Sequence, residues 1–193
     1  MISTYTAFID ANVFYGARLR SLVLFVASTK IFRVRWSEKV HDEWVDALVC
    51  NLKRPSLTKE KLQATRDAMN QAIPDSVVSH YEHLEAGLEL PDAKDNHILA
   101  AAICTHASTI VTFNLKDFPN EYLKGFNIDA THPDQFLCDA FNLAPDIFAE
   151  AVKQDFEHYK RPPLTFEKYI AELKAAGVPN LAQQLDEIRI LIA

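Results

Sequence analysis

The sequence has few glycines and only scattered cysteines, and both features narrow its structural class. Only 4 glycines occur among 193 residues, which favours helices over a turn-rich β architecture. Cys50, Cys104 and Cys138 lie too far apart for a metal-binding or redox motif. Because they are isolated and odd in number, we expect reduced thiols, as in a cytoplasmic protein.

Long apolar runs and an excess of positive charge are also missing. A membrane-spanning helix needs roughly 20 apolar residues, whereas the longest run, Leu22–Ala27, is short and lies within an amphipathic pattern. The first residues carry neither a basic segment nor a cleavage signature, so we expect no signal peptide and no membrane contact. The net charge of -6 argues against a protein that coats nucleic acid non-specifically. It still allows an enzyme that holds nucleic acid through a metal and a local basic patch.

Strands and helices alternate along the first 130 residues. Buried strands are predicted at Tyr5–Ile9 and Ser108–Phe113, and Phe32–Trp36 alternates like a strand. Ser37 is placed to cap one helix, and Pro55–Thr58 opens another that runs to about Ile73. Residues 74–91 could hold a strand or a short helix. The alternation predicts an α/β fold with a parallel sheet flanked by helices.

From about Ala130 strands disappear, and prolines punctuate short helical runs. We therefore expect an α/β domain over residues 1–130 and a small all-helical extension over residues 131–193. Large apolar side chains are too numerous in the extension to remain in water, since burying each is worth about 1.5–3 kcal/mol. We expect the extension to dock on the first domain as a helical cap.

Acidic and amide side chains follow the predicted strands. Asp10 ends the first strand, and Asn114 and Asp117 follow the strand that begins near Ser108. Asp95 stands in the first turn of the helix leading into that second strand. Because ligands gather outside the carboxyl ends of parallel strands, these residues are expected to share one crevice. Taken singly, each acid also has a simpler interpretation. Asp10 and Asp117 could be turn residues, and Asp95 could be a first-turn acid of a helix whose N-cap is Asp92.

Glu43 is the fourth acid of interest. It lies on or beside the apolar stripe of its helix, where a carboxylate is costly unless it is paired or bound to a metal. Pairing with Arg35 or Lys39 is an equally good explanation of its position. Several carboxylates in one crevice repel each other, and Mg²⁺ or Mn²⁺ would neutralise such an oxygen-rich site.

The order of these motifs resembles the PIN domain of VapC-type toxins over residues 5–130. The resemblance rests on Phe8–Phe14, on Glu43, on Asp92–Ala102 and on Ile110–Phe118. It implies a parallel sheet flanked by helices, a Mg²⁺-dependent (or Mn²⁺-dependent) acidic site and endoribonuclease activity. It also implies an RNA substrate, a cognate antitoxin and a homodimer. The segments Asp134–Leu137 and Arg161–Phe166 resemble the C-terminal helical extension of one subgroup of these toxins.

The resemblance carries over to individual residues. Asp10, Glu43 and Asp95 match the three core acids of the family. Many relatives have Asp where this chain has Asn114, so we expect Asp117 to act as the fourth catalytic acid. The expected metal ligands are Asp10, Asp95, Asp117 and Asn114, with Asn12 and Thr112 as orienting residues.

Other residues support less specific predictions. Arg33 and Arg35 are candidates for RNA binding because bases are concentrated in this early part of the chain. An antitoxin groove is expected on the early helices, built from Phe14, Leu22, Phe25 and the helix that carries Trp44. His97 is expected at a helix surface near the site without a catalytic role, and His80 and His83 are expected to be surface histidines.

Two other functions compete with a ribonuclease toxin. The chain could be a catalytically inactive PIN domain that binds RNA or protein, although the intact Asp10, Glu43 and Asp95 speak against this. It could also be a phosphatase with Asp10 as the nucleophile. Such enzymes usually carry a second Asp two positions later, where this chain has Asn12.

Overall fold

The computed structural model describes residues 5–51, 58–159 and 163–192. Within them, five strands form one sheet of order β3-β2-β1-β4-β5, and every neighbouring pair is parallel. The strands are β1 (Thr6–Ile9), β2 (Arg33–Ser37), β3 (Val77–Val78), β4 (Thr109–Val111) and β5 (Asp129–Thr131). The expected α/β fold with a parallel sheet is confirmed. The sequence did not indicate β5, because three partly exposed residues have too little periodicity to stand out.

Helices connect the strands of the sheet. They are α1 (Ala17–Ser28), α2 (Glu38–Asn51), α3 (Lys59–Ala72), α4 (Glu82–Glu85), α5 (Asn96–Cys104) and α6 (Asn120–Leu123). The predicted cap at Ser37 is confirmed, since its Oγ accepts a hydrogen bond from the backbone N–H of Val40 at 3.2 Å. Thr58 caps α3, whereas Pro55–Leu57 of that prediction lie outside the described residues. Residues 74–91 hold both a strand, β3, and a short helix, α4.

Large side chains fill the space between the sheet and the helices. Phe8 and Trp36 of the sheet, with Phe14, Leu22 and Trp44 of the flanking segments, have no exposed surface. The expectation that Phe14 and Leu22 line an open antitoxin groove is therefore wrong, and on α2, the helix that was also expected in the groove, Trp44 itself is buried. Their apolar surface is used by the core, and Phe25 alone of that set is partly exposed.

The C-terminal helices pack against the sheet domain, as the expected cap would. They are α7 (Pro133–Leu143), α8 (Pro145–His158), α9 (Phe166–Ala175), α10 (Pro179–Glu187) and α11 (Arg189–Ile192). Helix α8 lies along α1, and the fully buried Asp155 of α8 accepts a hydrogen bond from Ser21 of α1. Tyr169 of α9 donates to the same carboxylate at 2.7 Å. No helix within the described ranges is both long and apolar enough to cross a membrane.

Candidate active site

An acidic crevice of about 570 Å³ opens at the carboxyl edge of the sheet. Asp10 enters it directly after β1, while Asn114 enters from the loop after β4. Parallel β1 and β4 end side by side, with Ile9 in register with Val111, so these two loops must meet. The residues lining the crevice are Asp10, Ala11, Asn12, Tyr15, Glu43, Asp92, Lys94, Asp95, Phe113 and Asn114.

Asp10 is held by hydrogen bonds from both sides of its crevice. Its Oδ2 accepts hydrogen bonds from Asn12 Nδ2 at 2.5 Å and from the Thr112 hydroxyl at 2.6 Å. The Asn12 amide also donates to Thr112 Oγ1 at 2.9 Å, while its carbonyl accepts from the Phe113 backbone N–H at 3.1 Å. Asn12 and Thr112 thus join the ends of β1 and β4 and fix the orientation of the carboxylate.

The environment of Asp10 disfavours its charged form. Burial raises the pKa of this carboxyl, and the nearby charge of Glu43 raises it further. The hydrogen bond from Thr112 and the backbone N–H of Ala11 act in the opposite direction. The net rise in pKa means that an added positive charge would stabilise the ionised carboxylate.

Asp95 occupies the junction between a 3₁₀ turn, Ala93–Asp95, and α5. The predicted cap at Asp92 is confirmed, because its Oδ1 accepts a hydrogen bond from the Lys94 backbone N–H at 2.9 Å. The pKa of Asp95 is raised to about 6, first by burial and then by the charges of Asp10, Asp92 and Asp117. Asp95 therefore lies within electrostatic reach of the other acids.

Glu43 projects from α2 toward the buried face of α5. Its Oε1 lies 2.8 Å from Nε2 of His97, a residue with no exposed surface. The expectation of a surface position for His97 is wrong, because the first turn of α5 packs into the core. Within the described chain, neither Arg35 nor Lys39 contacts Glu43: Arg35 donates to the carbonyl of Asp75, and Lys39 lies 3.8 Å from Glu85.

The atoms of Glu43 and His97 that approach each other do not have the angle that a hydrogen bond requires. Both ring nitrogens of His97 are buried, and neither has a hydrogen-bond partner among the described residues. The 2.8 Å separation is therefore a close polar approach with an imperfect angle. A buried imidazole without a well-aligned partner is costly, and the Glu43 carboxylate is an acceptor within reach of it.

Asn114 and Asp117 share one loop after β4. The Asn114 side-chain amide donates to the Asp117 carboxylate, and its backbone N–H donates to Thr112 Oγ1 at 2.9 Å. Asn114 lines the crevice, whereas Asp117 is not part of the lining. Asp117 lies close enough for its charge to raise the pKa of Asp95.

The donor set of the crevice fits a hard divalent cation. All its candidate ligands are carboxylate or amide oxygens, which Mg²⁺ and Mn²⁺ prefer. The raised pKa of Asp95 comes partly from repulsion among these acids, which a cation would relieve. Within the described residues, no three His, Cys, Asp or Glu side chains stand close enough together to hold one ion as placed. Binding would therefore draw these side chains inward.

Arg33 and Arg35 lie away from the acidic crevice. Both are on β2, where Arg33 is in register with Thr6 at the start of β1. At about 3.3 Å per strand residue, Arg33 is roughly 13 Å along the strand from the level of Asp10. Together with Lys30 they line a separate groove of about 480 Å³. RNA binding by Arg33 and Arg35 stays a prediction, and these residues do not join the acids.

His80 and His83 have the expected surface positions. His80 and His83 are exposed, and neither belongs to a metal-ligating group among the described residues. The three cysteines are free, with Cys138 buried and the other two exposed.

Four residues of the crevice were not singled out from the sequence. They are Ala11, Tyr15, Lys94 and Phe113. In the sequence, Tyr15 and Phe113 have the pattern of ordinary apolar residues of a helix and a strand. The one feature of the sequence that could have indicated them is their proximity to the motifs at the strand ends. Tyr15 lies five residues after Asp10, and Phe113 directly precedes Asn114.

Comparison with known proteins supports the arrangement of two parts. Residues 6–116 match the PIN domain family, and residues 133–187 match the VapC50 C-terminal domain. A relative in Mycobacterium tuberculosis, named "Putative ribonuclease VapC50", is 43% identical over 72 residues, which is 37% of this chain and 43% of that protein. The matched region thus spans less than half the length of that relative. No solved structure gives a significant match. Since the first match covers more than half of the chain, this protein belongs to the PIN-domain family and carries a VapC50-type C-terminal domain.

Proposed function

We propose that this protein is an endoribonuclease that depends on Mg²⁺ or Mn²⁺ and acts as the toxin of a type II toxin–antitoxin pair. The observation that carries this proposal is the convergence of Asp10, Glu43 and Asp95 on one crevice at the carboxyl edge of the sheet. The name of the mycobacterial relative supports ribonuclease activity. The raised pKa values of Asp10 and Asp95 support a site that functions with a cation.

The proposed metal ligands are three side chains that line the crevice and Asp117, which lies in the loop beside it. Asp10, Asp95, Asp117 and Asn114 would hold the ion, which would supply an activated water and neutralise charge on the phosphodiester. Asn12 and Thr112 keep the Asp10 carboxylate in place, and His97 lies beside the Glu43 carboxylate. Water attacks phosphorus and the bond from phosphorus to the 3′ oxygen breaks, which leaves 5′-phosphate and 3′-hydroxyl ends.

Partners follow from the same proposal. A free ribonuclease would harm its host, so a cognate antitoxin is expected to cover the crevice, and cleavage of cellular RNA places the protein in the cytoplasm. A homodimer is part of the proposal. We also propose that the nuclease domain comprises residues 1–130 and the helical extension residues 131–193.

A cleavage assay with the full chain tests the proposal. Wild-type protein is expected to cut single-stranded RNA in Mg²⁺ or Mn²⁺ and to stop when the metal is chelated. Asp10→Asn is expected to reduce the rate by about 100-fold or more, since loss of outer-sphere partners alone costs about 10- to 100-fold. Asp129→Asn is the matched control, because Asp129 is an exposed carboxylate at the opposite edge of the sheet.

Two results would reject the metal-dependent mechanism. One is cleavage that survives chelation, and the other is a product with a 2′,3′-cyclic phosphate end. RNA binding without any cleavage would instead favour the inactive binding module. The amide of Asn114, which brings no charge where many relatives have an acid, is the feature that favours that alternative.

A further inference from the structure

We propose that Tyr15 and Phe113 stack on nucleobases beside the acidic crevice and select single-stranded over paired RNA. The inference rests on the proposed function in one respect, namely that the ligand is RNA. It concerns two aromatic side chains that line the crevice together with the acids.

Tyr15 stands at the mouth of the crevice. It follows the 3₁₀ turn Ala11–Phe14 directly, and 42% of its surface is exposed. Partial burial raises the pKa of its hydroxyl, and the charges of Asp10 and Glu43 raise it further. The ring therefore lies near the carboxylates, carries no charge at neutral pH, and offers a flat apolar surface to a ligand.

Phe113 is tied to the same carboxylate from the other side. Its backbone N–H donates to Asn12 Oδ1 at 3.1 Å, and the Asn12 amide donates to Asp10 at 2.5 Å. The ring is partly exposed and lines the crevice. One short chain of hydrogen bonds therefore sets the position of Phe113 relative to Asp10.

The C-terminal helices hold the Phe113 ring in place. Gly177, in the turn between α9 and α10, has a φ of +89°, and a Cβ at this position would lie 2.7 Å from Phe113 Cε1. On another side, His132 packs edge-on with ring centroids 5.0 Å apart. Any side chain at residue 177 would displace the ring. The VapC50-type domain thereby shapes one wall of the crevice.

An exposed ring and a partly exposed ring beside a group of carboxylates match one chemical feature of RNA, its unpaired bases. The carboxylates repel phosphates, whereas each unpaired base presents a flat face that stacks on aromatic side chains in a sequence-tolerant way. Bases within a duplex already stack on each other and cannot reach the protein rings. The arrangement therefore favours single-stranded RNA.

Binding measured by fluorescence anisotropy tests the proposal without relying on cleavage. The full-length Asp10→Asn protein in Mg²⁺ keeps the RNA intact, and Tyr15→Leu or Phe113→Leu is added to this background. Each leucine variant is expected to weaken binding of a single-stranded 12-nucleotide RNA by about fivefold or more. Tyr5→Leu is the matched control, because Tyr5 is 40% exposed but precedes β1 at the opposite edge.

The same variants are then measured on RNA that lacks bases. If the rings stack on bases, an abasic oligonucleotide binds the parent and leucine variants with equal affinity. An equal loss on intact and abasic RNA, or no loss on intact RNA, overturns the proposal. So does a parent protein that binds duplex as tightly as single strands. Failure of the wild-type protein to cleave RNA would reject the nuclease activity and leave these binding differences intact.

Gly177→Ala tests the placement of the ring by the C-terminal helices. It is expected to weaken binding as Phe113→Leu does, and the two effects are expected not to add in the double variant. Gly125→Ala is the control, since no atom lies within 4 Å of the added carbon. Thermal unfolding identifies a temperature at which both glycine variants are folded. Unchanged affinity of folded Gly177→Ala would overturn the role assigned to the C-terminal helices.

Discussion

Asp10 and Asp95 are two acids of one crevice in different surroundings. Asp10 is 7% exposed and accepts hydrogen bonds that favour its charge. Among the described residues no side chain donates in the same way to Asp95, which lies near three other acids. The pKa of both is raised, first by burial, and for Asp95 it reaches about 6. Burial and mutual repulsion of these carboxylates thus destabilise the site in the absence of a cation.

Asp95→Asn is expected to stabilise the metal-free protein at pH 8 but not near pH 4. Below about pH 4, Asp95 is protonated in both folded and unfolded chains, so its burial costs nothing extra. Between pH 4 and about 6 the folded chain holds the proton more tightly, so wild-type stability falls as pH rises, and the full cost is present above pH 6. Thermal unfolding in chelator measures the difference.

The control for this prediction is Asp67→Asn, because Asp67 is an exposed acid of α3. It should leave the melting temperature nearly unchanged at both pH values. A stabilisation by Asp95→Asn that is the same at pH 4 and pH 8 would contradict an origin in charge repulsion.

Helix α2 is anchored to its neighbours by a buried polar network. Trp44 Nε1 donates to His41 Nδ1 at 2.9 Å, so the proton of the neutral ring is on Nε2, which donates to Asn70 Oδ1 of α3 at 2.8 Å. Trp36 of β2 also donates to Asn70 Oδ1 at 2.9 Å. His41 thus joins α2 to α3, and Asn70 extends the network to the sheet, so the network supports the helix that presents Glu43.

His41→Leu is expected to destabilise the protein at pH 7.5 by about 1–3 kcal/mol, because it leaves the buried Trp44 N–H without an acceptor. Burial lowers the pKa of His41, so the unfolded chain gains a proton first and wild-type stability falls as pH drops below about 6.5. The variant should lose that part of the pH dependence. Urea denaturation at pH 7.5 and pH 5.5 measures both effects.

His83→Leu serves as the control, since His83 is exposed on α4. It should retain the wild-type pH dependence and stability. If His41→Leu unfolds with the same pH dependence as wild-type protein, the buried histidine is not the group that titrates.

The whole molecule is held together by contacts between α1 and the C-terminal helices. Arg18 of α1 donates twice to Glu172 of α9, at 2.9 and 2.6 Å, and its side chain is only 10% exposed. The guanidinium also lies over the rings of Tyr159 and Tyr169, 3.8 and 5.0 Å from their centroids. These contacts place the turn containing Gly177 against the crevice.

Arg18→Ala is expected to lower the free energy of unfolding by about 2 kcal/mol, because a largely buried ion pair and two cation–π contacts are lost. Arg189→Ala removes an exposed pair with Glu167 and one longer cation–π contact, 5.4 Å from the Phe166 centroid, and should cost less than about 1 kcal/mol. Urea denaturation of the two variants compares the pairs directly. Equal effects would mean that the pair between α1 and α9 contributes no more than a surface pair.

Local sequence patterns are sufficient to predict the class of fold and the order of the acids. Strand and helix periodicities are local, so β1, β2, β4 and most helices could be predicted from short windows. The positions of Asp10 and Asn114 after two parallel strands predicted a shared edge, and both line the crevice. Short or weakly patterned elements such as β3 and β5 carry too few residues for such a signal.

Contacts between residues far apart in the chain become visible in the folded structure, and local patterns do not predict them. The fold brought His97 against Glu43, buried the apolar side chains expected in an antitoxin groove, and placed Gly177 against Phe113. The periodicity of apolar residues predicts that a side chain faces inward, but it does not predict which residues that side chain contacts. The partner depends on how whole helices pack on the sheet, because burial of apolar surface is non-directional and fixes contacts only when the complete core is assembled.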